Sequence, residues 1–282
     1  MFQYSMTQWV SGKESCEKTA ERLKKCGYDG IELSAEPYSS NVEKTKNIIE
    51  NFGLTCTSLC GIYPLERDLS AADQKIRKNA VSYVKDSIDM AVYMGCKTLI
   101  VVPSAIGKSK PDFTYEAAWK YSRESLAETA EYAEKTGVFL ALEAVNRFET
   151  FLINRIEDSK KMIKELGHPN VKIMADLFHI NIEERDIEQA LKAADKYLIH
   201  VHLADNTREP PGMGQTDFYK VYQTLQKIGY TGYLTMEFMP RVANPYLASE
   251  RENEENLYDG YTKQALCYCK QIEANVYRKQ GG

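Results

Sequence analysis

The sequence predicts an α/β protein folded as a single (β/α)8 barrel. Three observations carry this. Amphipathic, charged segments end in glycine. A short apolar run follows each within a few residues. The unit recurs along all 282 residues, with no segment that reads as a linker. An apolar run of 4–6 residues suits a strand buried on both faces, as in a parallel sheet. A glycine just past an amphipathic run suits the left-handed position that ends a helix. Alternation of the two builds βαβ units, and eight in about 280 residues is the count of a closed barrel.

The elements follow in order. The first strand is Phe2 to Thr7. Lys13 to Cys26 is helical, then Gly27 precedes Gly30-Ile31-Glu32-Leu33. Glu43 to Phe52 and Gly53 lead to Leu54 to Leu59. Gln74 to Met94 and Gly95 lead to Thr98 to Val102. Tyr115 to Thr136 and Gly137 lead to Val138 to Leu142. Ile156 to Leu166 and Gly167 lead to Val171 to Met174. Asp186 to Ala194 precedes Leu198 to Leu203. Phe218 to Ile228 and Gly229 lead to Tyr233 to Met236, and Tyr258 to Ala274 is the last helix. A doubly wound open sheet is the competing arrangement. It lacks a G-x-G-x-x-G after the first strand, and no P-loop occurs.

The length alone fits two domains of roughly 150 residues or one barrel of about 250. The repeat favours residues 1–282 as one barrel domain, with long loops near 103–113 and 241–257. Both loops follow strands, where a barrel carries its functional segments. With 36 basic against 40 acidic residues the formal charge is −4, which argues against a nucleic-acid or anionic-membrane binder. The seven cysteines contain no C-x-x-C pair, so they read as reduced thiols of a cytoplasmic protein rather than a disulfide framework or zinc ribbon. Met1 to Ser5 lacks the basic start of a signal peptide. The longest apolar stretch, around Leu99 to Val102, is far too short to span a bilayer.

In a barrel the chemistry sits at the C-terminal ends of strands. Glu143, Asp176, His202 and Glu237 stand there in four successive units. A carboxylate at the end of an apolar strand is costly to bury without a partner, and one divalent cation would satisfy all four. Three carboxylates and an imidazole form an oxygen-rich site that suits Mn²⁺, Mg²⁺ or Co²⁺. The competing reading is four separate rim residues with solvent or salt-bridge partners.

The other histidines divide. His168, before Pro169, reads as a surface turn residue. His200 shares the strand face of His202 one pleat deeper and reads as a hydrogen-bonded core histidine. His179 follows Asp176 by three residues in an expected loop, open to a ligand or substrate role. Tyr4 and Trp9, near the mouth of the first strand, are candidates for an apolar wall, with core packing the more common fate.

Two segments carry a resemblance. Leu142-Glu143-Ala144-Val145-Asn146-Arg147-Phe148-Glu149 and Asp176-Leu177-Phe178-His179-Ile180-Asn181-Ile182-Glu183-Glu184 resemble the signatures of the ketose 3-epimerases, the D-tagatose and D-psicose 3-epimerase family of the xylose isomerase-like TIM barrels. His202-Leu203 with Arg208, Pro210-Pro211-Gly212 and Gly214 is similar to a third segment, and Thr235-Met236-Glu237 to a fourth.

The resemblance implies a metal-dependent isomerase acting on a monosaccharide, as a homodimer or homotetramer. Glu143, Asp176, His202 and Glu237 would hold one divalent ion, Mn²⁺ first, with Co²⁺ or Mg²⁺ as substitutes. Glu143 and Glu237 would also be the acid/base pair. Glu149, His179 and Arg208 would hydrogen-bond the substrate near its carbonyl end. Inverting C3 of a ketose needs an enediolate stabilised by positive charge and two bases on opposite faces.

Four stretches depart from the family pattern: Glu237-Phe238-Met239-Pro240, Ala204-Asp205-Asn206-Thr207 before Arg208, Gly214-Gln215-Thr216-Asp217-Phe218 and Val102-Pro103-Ser104-Ala105. They would meet the far end of the substrate, which leaves room for a modified or unusual ketose. The alternatives are an aldose–ketose isomerase or lyase on an oxidised or inositol-derived sugar, a nuclease of the endonuclease IV type and a non-catalytic sugar-binding barrel. Four histidines and an acidic balance disfavour the nuclease.

Overall fold

Eight parallel strands close on themselves in sequence order in the computed structural model, which describes residues 1–39, 41–240 and 255–278. The strands are β1 Gln3–Thr7, β2 Gly30–Ser34, β3 Thr55–Cys60, β4 Thr98–Val101, β5 Phe139–Glu143, β6 Val171–Asp176, β7 Leu198–Leu203 and β8 Tyr233–Met236. β8 returns to β1 through Gln3↔Tyr233 to Met6↔Met236, so the sheet has no edge. The (β/α)8 expectation is met. The loop expected near 241–257 lies outside the described residues up to residue 254.

The helices are α1 Cys16–Cys26, α2 Val42–Asn51, α3 Gln74–Met94, α4 Tyr115–Thr136, α5 Ile156–Leu166, α6 Leu177–Glu183, α7 Ile187–Ala194, α8 Phe218–Lys227 and α9 Glu255–Arg278. Local chemistry sets their ends. Ser15, Asp73 and Thr114 cap α1, α3 and α4 by accepting hydrogen bonds from Lys18, Lys75 and Ala117 amides, which satisfies otherwise orphaned donors. Gly95 and Gly137 end α3 and α4 at φ 78° and 74°, a conformation a Cβ penalises.

The structure corrects one element. Asp176-Leu177-Phe178-His179 is not a loop, because α6 starts at Leu177, directly after β6. Asp176 both ends the strand and caps the helix, accepting from the Phe178 amide at 2.7 Å. The run from Leu177 to Glu183 is too short and too apolar to display a helical period, so it left no periodic signal. Among the described residues no helix is long and apolar enough to cross a membrane.

The main core lies between sheet and helices, with Leu140, Leu142, Ile173, Val201 and Leu234 facing outward. Ile100, Ala141 and Met174 form a separate small cluster. Ala141 is two residues before Glu143 and shares its face, so this cluster is the apolar floor inside the barrel. β1, β2, β3, β7 and β8 fill the rest of the interior with polar side chains: Ser5, Glu32, Ser58, His200, His202 and Thr235 are all buried.

Candidate active site and metal centre

Strand register assembles the site. Asp176 pairs with His202 across β6 and β7, and His202 with Thr235 across β7 and β8. Glu143 is the last residue of β5. Glu237 follows β8 by one residue, and its amide donates to the Leu203 carbonyl at 3.0 Å. A cavity of about 480 Å³ opens above them, lined by Trp9, Cys60, Ile62, Tyr63, Glu143, Glu149, His179, Arg208, Glu237 and Met239, among others.

The structure brings the four strand-end residues together. One ligand atom each from Glu143, Asp176 and His202 lies within 4.8 Å of the other two, and all three residues are buried. Glu237 joins through His202, whose Nδ1 is 3.1 Å from Glu237 Oε2. Arg208 closes the ring, with Nη1 3.3 Å from Asp176 Oδ2 and Nη2 2.8 Å from Glu237 Oε2. Its guanidinium lies over the Phe178 ring at 4.4 Å.

The environments push the two glutamates apart. Burial, and then the charge of Glu237, raise Glu143 well above the usual carboxylate range. Burial works to raise Glu237 too, but His202 and Arg208 beside it win and hold it down to about 2. Burial raises Asp176 against the pull of Arg208 and His179. His202 is raised well above the ordinary imidazole value, because Glu237 and Glu32 overcome its burial.

These residues fit a divalent cation. His202 Nδ1 is buried and has no hydrogen-bond partner among the described residues. Three carboxylates crowd around it. A cation would satisfy both features, and an oxygen-rich set with one imidazole is the donor chemistry of Mn²⁺ or Mg²⁺.

The three expected substrate contacts lie on the cavity wall. His179, in α6, puts Nε2 3.5 Å from Asp176 and 3.8 Å from Glu143. Burial pushes its pKa down to about 3, so the ring is neutral. Glu149 accepts from Asn146 Nδ2 at 2.9 Å, and its carbonyl accepts from the Gly107 amide at 2.7 Å, so the loop after β4 braces the loop after β5. Arg208 takes a left-handed backbone, φ 65°, rare for a residue with a Cβ.

Trp9 and Tyr4 part company. Trp9 lines the cavity and donates from Nε1 to Glu237 Oε1 at 3.1 Å. Tyr4 is no part of that wall. It lies on the outer face of β1, and its hydroxyl donates to Glu273 of α9 at 3.0 Å. Alternation explains the difference, since Ser5 and Thr7 take the inward positions. His168 stands in its turn 3.4 Å from Glu134. His200 is a hydrogen-bonded interior histidine, 2.9 Å from Glu32.

Two residues escaped the sequence reading. Glu32 of β2 is completely buried and contacts both His200 and His202. Its signal was an acid inside the apolar run Gly30-Ile31-Glu32-Leu33. Asn146 contacts His179 Nδ1 at 2.8 Å. It lay within the resemblance segment, but nothing in its spacing marked it.

Comparison with known proteins places this geometry in context. The xylose isomerase-like TIM barrel family matches residues 20–258. The D-psicose 3-epimerase of Ruminiclostridium cellulolyticum is 35% identical over 227 residues, 77% of this chain and 76% of that protein. The 3-dehydro-D-guloside 4-epimerase of Escherichia coli is 32% identical over 230 residues, 79% of this chain and 87% of that protein. The crystal structure of the D-psicose 3-epimerase of Clostridium cellulolyticum H10 with D-tagatose superposes with a TM-score of 0.86 at 27% identity, covering 96% of this chain and 99% of that one.

Proposed function

The chain belongs to the xylose isomerase-like TIM barrel family, and from that premise we propose that it is a metal-dependent epimerase inverting C3 of a ketose. The observation that carries this reading is the pairing of Glu143 and Glu237. Both carboxylates border one cavity, and their surroundings drive their proton affinities in opposite directions. Opposed protonation states are what a donor and an acceptor of one proton require.

In this reading Glu237 takes the proton from C3 and Glu143 returns one to the opposite face of the planar intermediate. Trp9 Nε1 and Arg208 Nη2 both contact Glu237, which fixes the base before substrate arrives. The neutral His179 ring carries its proton on Nε2, because Asn146 Nδ2 donates to Nδ1. That proton faces the cavity as a donor to the carbonyl end of the sugar, beside Arg208 and Glu149. Ile62, Tyr63 and Met239 give that cavity an apolar wall. Glu143, Asp176, His202 and Glu237 would hold the divalent ion. When bound, it supplies positive charge that a developing enediolate needs. Mn²⁺ is the ion proposed, on the oxygen-rich donor set.

A second reading rests on the E. coli relative, whose name places epimerisation at C4 of a 3-dehydro sugar. The same two glutamates would serve any carbon beside a carbonyl. We also propose a cytoplasmic location, supported by seven free cysteine thiols, and an assembly of two or four copies.

The test is incubation of the Mn²⁺-loaded enzyme with a panel of ketoses and 3-keto glycosides in D2O. Deuterium at C3 together with the C3 epimer supports the first reading. Deuterium at C4 of a keto glycoside moves the assignment to the second. No exchange with any member of the panel rejects both.

A further inference from the structure

We infer that Glu32 is a positioning residue that fixes which nitrogen of His202 faces the metal centre. The inference rests on the metal-dependent reading above. Glu32 is completely buried in β2, in register with Ser58 of β3. It is absent from the cavity lining, so it does not touch a substrate. Its Oε2 accepts from Ser58 Oγ at 2.6 Å and lies 2.9 Å from His200 Nε2 and 3.2 Å from His202 Nε2. Its Oε1 is 3.0 Å from His202 Nε2.

A carboxylate only accepts hydrogen bonds. The nitrogen of His202 that faces Glu32 must therefore carry a proton. That leaves the lone pair of Nδ1 for a cation, and Nδ1 is buried without a hydrogen-bond partner among the described residues, 3.1 Å from Glu237 Oε2. Without an acceptor at Nε2, the ring loses both its preferred tautomer and its orientation. Loss of such a partner behind a ligating histidine weakens metal binding by about 10- to 100-fold. Ser58 holds the carboxylate in place, and His200 bears on it from the next pleat down.

The same three residues admit a competing role. Glu32, His200 and His202 could themselves bracket a second cation. Positioning predicts one ion per chain, whereas a second centre predicts two.

The test is Mn²⁺ titration of the chelator-treated full-length protein, with affinity and stoichiometry read from the EPR signal of free Mn²⁺. Glu32→Gln keeps the volume but replaces one acceptor oxygen by a donor. The expected result is one ion per wild-type chain, roughly 10- to 100-fold weaker binding in Glu32→Gln, and turnover restored by excess Mn²⁺. Unchanged affinity in a folded Glu32→Gln variant overturns the inference, as does loss of one of two bound ions. If Glu32→Gln does not fold, Ser58→Ala decides: a several-fold weaker affinity supports positioning and an unchanged one overturns it. A wild-type protein that binds no Mn²⁺ overturns the metal-dependent reading itself, and this inference with it.

Discussion

Arg208 Nη2 lies 2.8 Å from Glu237 Oε2, and the arginine that makes this contact sits on a backbone with φ 65°. The pairing puts a permanent positive charge against the proposed base. Positive charge favours the ionised carboxylate, and with His202 it holds Glu237 down to about 2 despite burial. Arg208→Gln removes the charge. The acidic limb of the kcat/KM–pH profile should then move up by about one pH unit, equivalent to about 1.4 kcal/mol. The overall height of the profile also falls, because Arg208 borders the substrate cavity. An unmoved limb would show that Arg208 does not set the ionisation of Glu237.

The loop that carries Arg208 is organised by Asp205. Its buried carboxylate accepts from the amides of Gly212, Gly214 and Thr216 at 2.9, 2.8 and 3.0 Å, and its carbonyl accepts from the Arg208 amide at 2.9 Å. A Cβ on Gly214 would collide with Asn206 Oδ1 and Asp205 Oδ1. With the Asn206 amide, which donates to Oδ1 at 2.9 Å, Asp205→Ala deprives four amides of an acceptor, at a cost of about 1–3 kcal/mol each where water cannot reach. We expect a lower urea midpoint together with a raised KM, as Arg208 loses its anchor. Gly214→Ala should reproduce the KM effect by steric displacement of that carboxylate and of Asn206 Oδ1, which accepts from the Gln215 amide. A folded Asp205→Ala enzyme with wild-type KM would separate the loop from substrate binding.

Asn146 governs His179 in a similar way. Its Oδ1 accepts from the Phe148 amide at 3.0 Å, which fixes the amide so that Nδ2 donates toward His179 Nδ1. Asn146→Asp offers an acceptor there instead and draws the imidazole proton from Nε2 to Nδ1. The proton aimed at the cavity is then lost, and kcat/KM should fall by about 10- to 100-fold, the worth of one charge-assisted contact. Histidine ¹⁵N shifts report the tautomer directly. Activity retained with the tautomer reversed would remove His179 from the list of donors.

The barrel was legible because its signals are local and repeated: glycine after a helix, then an apolar run. Glu143, Asp176 and Glu237 were legible for the opposite reason, as acids that interrupt such runs at their ends. Glu32 interrupts a run in the same manner. It sits inside the strand, however, and its partners His200 and His202 lie 168 and 170 residues away, so only strand register could connect them. α6 escaped because a seven-residue helix buried on most sides has no amphipathic period to read. Glu149 and Arg208 were legible only through resemblance, since an isolated loop charge ordinarily faces solvent.

Metal affinity should depend on pH in a direction the site fixes. Glu143, Asp176 and His202 are all raised, so the metal-free protein holds protons at a pH where the free side chains would have released them. Such raised groups stabilise the metal-free fold at low pH, and that contribution is lost as pH rises through their folded values. A cation can bind only as the protons of Asp176 and His202 leave, while Glu143, the proposed proton donor, keeps its own. Glu237, held down to about 2, is already ionised and releases none. Mn²⁺ affinity should therefore keep rising above the ordinary imidazole range, with protons released on binding. Calorimetric titration in buffers of differing ionisation enthalpy counts them. Glu143→Gln should leave that count nearly unchanged, because the proposed donor keeps its proton when the ion binds. Binding that releases no proton at pH 7 would mean that Asp176 and His202 stand deprotonated before the metal arrives, and the raised state of His202 would not exist in the metal-free protein.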